Sequence, residues 1–234
     1  METQRDLALL RSRQALVRAR TQLVNHVRGT VKAFGARLPS CSTAAFHRRT
    51  AEAMPADLRP ALEPILRLLG ELTEEINRYD CRVSVTARTT YPDTTRLMQI
   101  PGIGPVTALT YRLTIDAPHR FTNSRAVGSY LGLRPRQRAS GTQHRQLRIT
   151  KAGDSDLRRL LVGSAQYILG PFGPDCDLRR WGTAIAARGG KNAKKRAIVA
   201  VARKLAVLLH RLWVSGEIYR PQRVPDAPKV AVTD

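Results

Sequence analysis

From Leu58 to Val83 the residues Leu58, Leu62, Ile65, Leu69, Leu72, Ile76, Tyr79 and Val83 recur at alternating steps of four and three. A strand turns over at every residue and cannot use that spacing, whereas a helix gathers these positions into one seam and leaves Glu71, Glu74 and Glu75 outside it. The chain is therefore committed here to a helix of several turns, as a coiled coil or as one arm of a helical hairpin. Pro60 and Pro64 restrict its start, because a proline ring lacks the amide donor and collides with the carbonyl four residues back. The uninterrupted helix is expected from about Pro64, with the earlier heptad in a kinked or separate turn. The seam has two candidate occupants: a second copy of the chain, or the helix that precedes it.

That preceding helix is expected over Leu7 to Phe34, where Leu9, Leu16, Leu23 and Leu10, Val17, Val24, Val31 run side by side at seven-residue spacing. Arg5, Arg11, Arg13, Arg18, Arg20 and Arg28 mostly fall elsewhere, as a solvated basic face or as phosphate contacts. Gly35 stands where a C-cap belongs, and residues 36–54 read as a short connection with one turn of helix. Residues 86–96 are polar and β-branched and carry a proline, so the coil ends there at a domain boundary. The fold class expected is mostly α. A helical or coiled-coil region covers 1–90, a compact helical domain covers 91–219, and 220–234 is a disordered tail in which proline and charge outweigh apolar residues.

The second region opens on Pro101-Gly102-Ile103-Gly104 between apolar runs, the shape of a helix-hairpin-helix turn. There Gly102 and Gly104 take backbone angles that a Cβ disfavours, and the amides of the turn and of the next helix can face a phosphate oxygen. A glycine turn joining two core helices is the other reading. The next helix is expected from Pro105 to Leu113, and another over Ser124 to Leu131 with Asn123 or Ser124 as its cap. A basic loop around Ser140 follows, then a short strand from QLRIT, a helix capped by Asp154 or Ser155 and running through Leu169, and a loop-rich crossover over residues 170–191. The last element, NAKKRAIVAVARKLAVLLHRLWVSG, places Ile198, Val201, Leu205, Leu208 and Leu212 on one face and ends at Gly216.

Forty Lys and Arg against eighteen Asp and Glu leave a formal charge of +22, spread along the whole chain of 234 residues. Such a surface attracts polyanions, nucleic acid first. A membrane-spanning role is excluded by the lack of any uncharged run near ~20 apolar residues. The charged N-terminus does not read as a signal peptide, and three scattered cysteines make neither a disulfide framework nor a zinc site, so a cytoplasmic location is expected. The densest charge surrounds Ser140: Arg134, Arg136, Arg138, Arg145, Arg148 and Lys151 all lie within eleven residues of it. Ser140 itself fits a turn, and it also fits a nucleophile whose phosphorus target the guanidiniums would stabilise. Asp154 and Asp156 read as helix-start residues and Asp175 and Asp177 as loop polar groups, so no metal site is assigned.

Taken in order, RDLALLRSRQALVRARTQLVNHVRGTVKAFG, IPGIGPVTA, YLGLRPRQRASG, ITKAGDSDLRRLLVGSA and KKRAIVAVARKLAVLLHRLW resemble the insertion-sequence transposases that join a RuvC-like DEDD domain to a C-terminal serine domain, the bridge-RNA-guided recombinases. By that resemblance Ser140 is the catalytic serine that attacks a DNA strand and holds it as a phosphoserine link, and residues 58–85 join protomers; the chemistry of the residues themselves marks Gly102, Gly104 and the six cations for DNA binding. The partners implied are DNA, a structured noncoding RNA and further copies of the chain. The family carries its acidic residues and magnesium upstream of the arginine-rich helix at which this chain begins. The chain is thus expected to be a C-terminal portion with no cofactor of its own, magnesium belonging to the missing domain, and to be incapable of strand transfer alone. The alternative class is a non-catalytic nucleic-acid-binding and oligomerising module or regulator.

Overall fold

A computed structural model describes residues 2–140 and 143–222, and the side chains of residues 2 and 137–146 fall outside that description. The chain divides into two compact units, Met1–Thr86 and Ala87–Asp234. It is mostly α, and among the described residues the strands form a single two-stranded ribbon.

The first unit is a helical hairpin. Helix α1 (Glu2–Ala33) ends where Gly35 adopts φ 78°, letting the Gly35 N–H donate to the Lys32 carbonyl and the Ala36 N–H to the Val31 carbonyl. This pair of bonds satisfies the last carbonyls of the helix, and it needs a residue at ease in the left-handed region. A short α2 (Phe46–Ala51) and one 3₁₀ turn lead into α3 (Arg59–Thr89). Pairing of Arg13 with Asp80 and of Arg20 with Thr73 sets α1 and α3 antiparallel. Val24, Val27 and Val31 then pack with Phe46, Met54, Leu58, Leu62, Leu66 and Leu69. The heptad seam is thus filled by α1 of the same chain, the second of the two candidate occupants. Leu66 and Thr73 are buried where the strict repeat named Ile65 and Leu72, because a straight helix of 3.6 residues per turn drifts off a seven-residue repeat.

The proline expectation needs correction, since α3 starts at Arg59 and carries Pro64 inside it. The proline costs ~3 kcal/mol. Burying Leu62, Leu66 and Leu69 returns ~1.5–3 kcal/mol each, so tertiary burial wins.

The second unit is built round α9 (Ala193–Ser215), which touches α4 (Thr94–Leu97), α6 (Ser124–Tyr130), α7 (Ser155–Leu169) and α8 (Asp177–Ala187). Ala197, Ala202 and Ala206 let neighbours approach closely, while Val201, Leu205 and Leu209 fill the spaces between. From α5 (Pro105–Ile115), buried Tyr111 donates its hydroxyl hydrogen to the Ala206 carbonyl at 2.7 Å. Asn123 caps α6 by accepting from the Ala126 N–H, and Asp154 caps α7 by accepting from the Leu157 N–H at 2.7 Å.

Residues 177–187, expected within a loop-rich crossover, form α8 instead. Gly182 inside it is a packing residue: a Cβ there would lie 2.6 Å from Val201 Cγ2 and 2.7 Å from Leu169 Cδ2. The preceding turn is held by Arg179, whose guanidinium donates to the carbonyls of Ile168, Gly170 and Gly173. Pro221, in the expected disordered tail, accepts a hydrogen bond from the Asp177 N–H at 2.9 Å, and the tail from residue 223 lies outside the described residues.

Candidate nucleic-acid interface

Two features of the second unit carry the candidate residues, and both hang on α7. The first is the glycine turn between α4 and α5. Gly102 has φ 79° and the Ile103 N–H closes the turn on the Ile100 carbonyl, after which Gly104 caps α5 with Pro105 as its first residue. The two glycines do different work. A Cβ on Gly102 would lie 3.0 Å from Tyr167 Cδ1 and 3.1 Å from the Ser164 carbonyl oxygen, so Gly102 both turns the chain and lets it touch α7. The Ser164 hydroxyl fixes that contact by donating to the Gly102 carbonyl at 2.7 Å. Gly104, at φ −93° and ψ 178°, has a backbone that any residue adopts, so the expected special angle holds for Gly102 alone; a Cβ on Gly104 would meet nothing within 4 Å, which leaves the approach to the first turn of α5 open.

The second feature corrects an expectation. The Ser140 segment is a β-ribbon and not a loop, with β1 (Pro135–Ser140) antiparallel to β2 (Gln143–Ile149). Backbone register sets Arg138 opposite Arg145 and Ser140 opposite Gln143, with an irregularity between Pro135 and Gln137. The foot of the ribbon is knitted tightly. The Lys151 N–H donates to the Gly132 carbonyl and the Thr150 N–H to the Arg134 carbonyl. From α7, the Arg158 guanidinium donates to the carbonyls of Leu131 at 3.1 Å and Ala152 at 2.6 Å.

Two glycines permit this approach. Gly132 has φ 66° and a Cβ on it would lie 2.3 Å from the Ala152 nitrogen; Gly153 has φ 70° and a Cβ on it would lie 2.2 Å from the Tyr130 carbonyl oxygen. Arg134, Arg136, Arg148 and Lys151 are exposed around this foot, so four of the six cations share one ribbon stem. The side chains of Arg138, Arg145 and Ser140 lie outside the described residues.

Sequence reasoning found the cations and missed what positions them: Gly132, Gly153, Arg158 and Ser164. The signal was present in YLGL, which puts Gly132 directly after the expected helix as its left-handed C-cap, with the Gly132 N–H donating to the Ser129 carbonyl and the Leu133 N–H to the Gly128 carbonyl, and in TKAG, which puts Gly153 just before the Asp154 cap of α7. Arg158 and Ser164 stand six residues apart on α7, about 9 Å along its axis at 1.5 Å per residue. One rigid helix thus spaces the glycine turn and the ribbon foot.

The acidic side chains here are engaged. Asp154 caps α7, Asp156 lies 3.4 Å from Arg159, and Asp175 pairs with Arg180, whose guanidinium holds the Asp175 carboxyl below its usual range. Among the described residues no three His, Cys, Asp or Glu side chains group as metal ligands. Nor is any helix among them long and apolar enough to cross a membrane.

Residues 94–174, from α4 through the end of α7, match the model of the transposase IS116/IS110/IS902 family. The chain is 32% identical to the transposase for insertion sequence element IS1111A of Coxiella burnetii, over 94% of this chain and 61% of the relative. It is likewise 32% identical to a probable family 20 transposase of Pseudomonas aeruginosa, over 94% of this chain and 66% of that protein, and to a putative transposase of Sinorhizobium fredii, over 94% and 57%. The chain spans roughly three fifths of the length of these curated relatives. Over residues 94–174 the chain is thus similar to the IS116/IS110/IS902 family of transposases, and over most of its length it is similar to these transposase relatives.

Proposed function

We propose that the chain is the DNA-engaging, serine-bearing part of an insertion-sequence transposase. The observation that carries the proposal is the ribbon whose foot is clamped by Gly132, Gly153 and Arg158, with Arg134, Arg136, Arg148 and Lys151 exposed around it and Ser140 at the end of β1. On this reading the cations grip backbone phosphates on either side of a scissile one, and the glycine turn at Gly102 and Gly104 offers main-chain donors to another. Such contacts position the strand without reading bases.

In the chemical step the Ser140 oxygen forms a new ester bond to phosphorus as its proton is released. One bridging phosphorus–oxygen bond breaks, and the leaving oxygen takes up a proton. Guanidiniums around the phosphate favour the extra negative charge of the pentacovalent state. No step here is routed through magnesium. By the same resemblance the chain assembles with copies of itself and with a structured noncoding RNA, and carboxylates from outside these 234 residues complete the reaction.

Two measurements test this. Gel shifts on duplexes of unrelated sequence should give equal affinities that fall steeply with salt; no binding, or strong preference for one sequence, refutes the DNA-engaging reading. The chain incubated with supercoiled element-end DNA, magnesium and the element's RNA should form no covalent adduct by itself. An adduct that disappears in Ser140→Ala would place the nucleophile correctly and overturn the expected incapacity.

A further inference from the structure

Arg125 on α6, Arg134 at the foot of the ribbon and Arg203 on α9 converge on one surface cleft of about 470 Å³, with Ser129 beside them. Only the fold joins them, since Arg203 is far from the other two in sequence. That volume falls in the range of small-ligand sites, ~300–1,000 Å³, and exceeds what a lone phosphate group occupies. Three like charges around one space repel one another unless an anion sits among them.

Six arginines outside the cleft pair with acids: Arg13 with Asp80, Arg78 with Glu75, Arg112 with Asp93, Arg159 with Asp156, Arg180 with Asp175 and Arg211 with Glu217. Among the described residues none of the three cleft arginines has such a partner. Arg203 is also held in place. Its stem lies on Gly128, where a Cβ would be 3.0 Å from Arg203 Cγ and 3.4 Å from its Nε. Gly128 thus clears the ground on which that guanidinium rests.

We infer that this cleft is a second phosphodiester-binding site, in which Arg125, Arg134 and Arg203 take the non-bridging oxygens of a nucleic-acid backbone and Ser129 donates a neutral hydrogen bond. The inference rests on the DNA-engaging reading and adds to it a place and a register. Arg134 precedes Ser140 by six residues. At about 3.3 Å per strand residue the two are at most ~20 Å apart, on the order of six base steps of duplex rise. A strand anchored in the cleft therefore reaches the ribbon tip within one turn of duplex. The forked guanidinium suits this task better than an ammonium, because it donates two parallel bonds to one phosphate.

The test uses the whole chain and fluorescence anisotropy with labelled DNA duplex, single-stranded DNA and RNA duplex of arbitrary sequence, each titrated across salt. Arg125→Gln and Arg203→Gln should each lower the slope of log affinity against log salt by ~0.9 on duplex DNA and ~0.7 on single strands. The double variant should bind about tenfold or more weakly near physiological salt. Arg203→Lys, which keeps the stem on Gly128, should keep the slope and lose affinity. Arg211→Gln, outside the cleft, should change neither. Tryptophan-monitored melting identical to wild type shows that the variants fold.

Loss of slope on both DNA and RNA supports a site for the shared backbone; loss on RNA alone supports the site and assigns its ligand to RNA. A double variant with the wild-type slope on every probe overturns the cleft while leaving the DNA-engaging reading intact. No binding by the wild-type chain overturns both.

Discussion

Replacing Gly132 by alanine tests the ribbon foot most directly. The residue has φ 66°, and the new methyl would lie 2.3 Å from the Ala152 nitrogen and 2.4 Å from its oxygen. Neither atom can yield, since both are main chain. Left-handed backbone costs an alanine ~1–2 kcal/mol. Moving the two segments apart forfeits the hydrogen bond from Lys151 N–H to the Gly132 carbonyl and weakens those of Arg158, for a further ~2–3 kcal/mol. The total expected is about 4 kcal/mol, a large part of the ~5–15 kcal/mol that stabilises an ordinary domain. Gly163→Ala supplies the contrast, because Gly163 lies within α7 and a Cβ there meets nothing within 4 Å. That change should stabilise by ~0.5–1 kcal/mol. The assay is urea unfolding followed by tryptophan fluorescence; both tryptophans, Trp181 and Trp213, belong to the second unit, so the signal reports that unit. A Gly132→Ala chain within ~0.5 kcal/mol of wild type refutes the close-approach argument, the spread ordinary for an inconsequential surface change.

Tyr111 gives a pH prediction: burial pushes its phenol well above the usual value, so the stability contributed by the neutral form is complete below pH ~10 and is lost as pH rises beyond it, by up to ~1.4 kcal/mol per pH unit. Tyr111→Phe should flatten that alkaline loss in urea titrations while costing ~1 kcal/mol at neutral pH for the bond to Ala206; an unchanged alkaline slope sinks the assignment. Asp154→Ala should cost ~1 kcal/mol by removing the α7 cap, with Asp154→Asn restoring most of it in the same unfolding assay. Gly182→Ala should cost ~1–3 kcal/mol by forcing α8 off α9, and a neutral result would mean that the contact with Val201 relaxes freely.

What the sequence revealed was governed by local rules. Gly35 ends α1, Asn123 and Asp154 cap their helices, and Gly216 ends α9, all from the demands of unpaired amides and carbonyls at helix ends. The errors share a cause as well. The glycine-rich stretch 170–191 hides α8 because Val201, the partner that makes Gly182 a packing residue, is remote in sequence, and Pro64 signals a helix start because the leucines that outweigh it act only once α1 is in place. In the β1 stretch PRQRAS no apolar alternation announces a strand. The ribbon exists because Gly132, Gly153 and Arg158 close its foot.

That closure bears on function. Charge alone is a weak guide to a phosphate site, since a chain with a formal charge of +22 offers cations on every face. What separates a grip from a solvated surface is whether the cations are held at fixed spacing without acids to answer them. The ribbon foot meets the first condition through main-chain contacts that a single methyl would break. The cleft of Arg125, Arg134 and Arg203 meets the second among the described residues. Arg134 belongs to both. Its main-chain carbonyl accepts from Thr150 in the ribbon foot while its side chain lines the cleft, so the proposed phosphate site and the strand that leads to Ser140 share one residue.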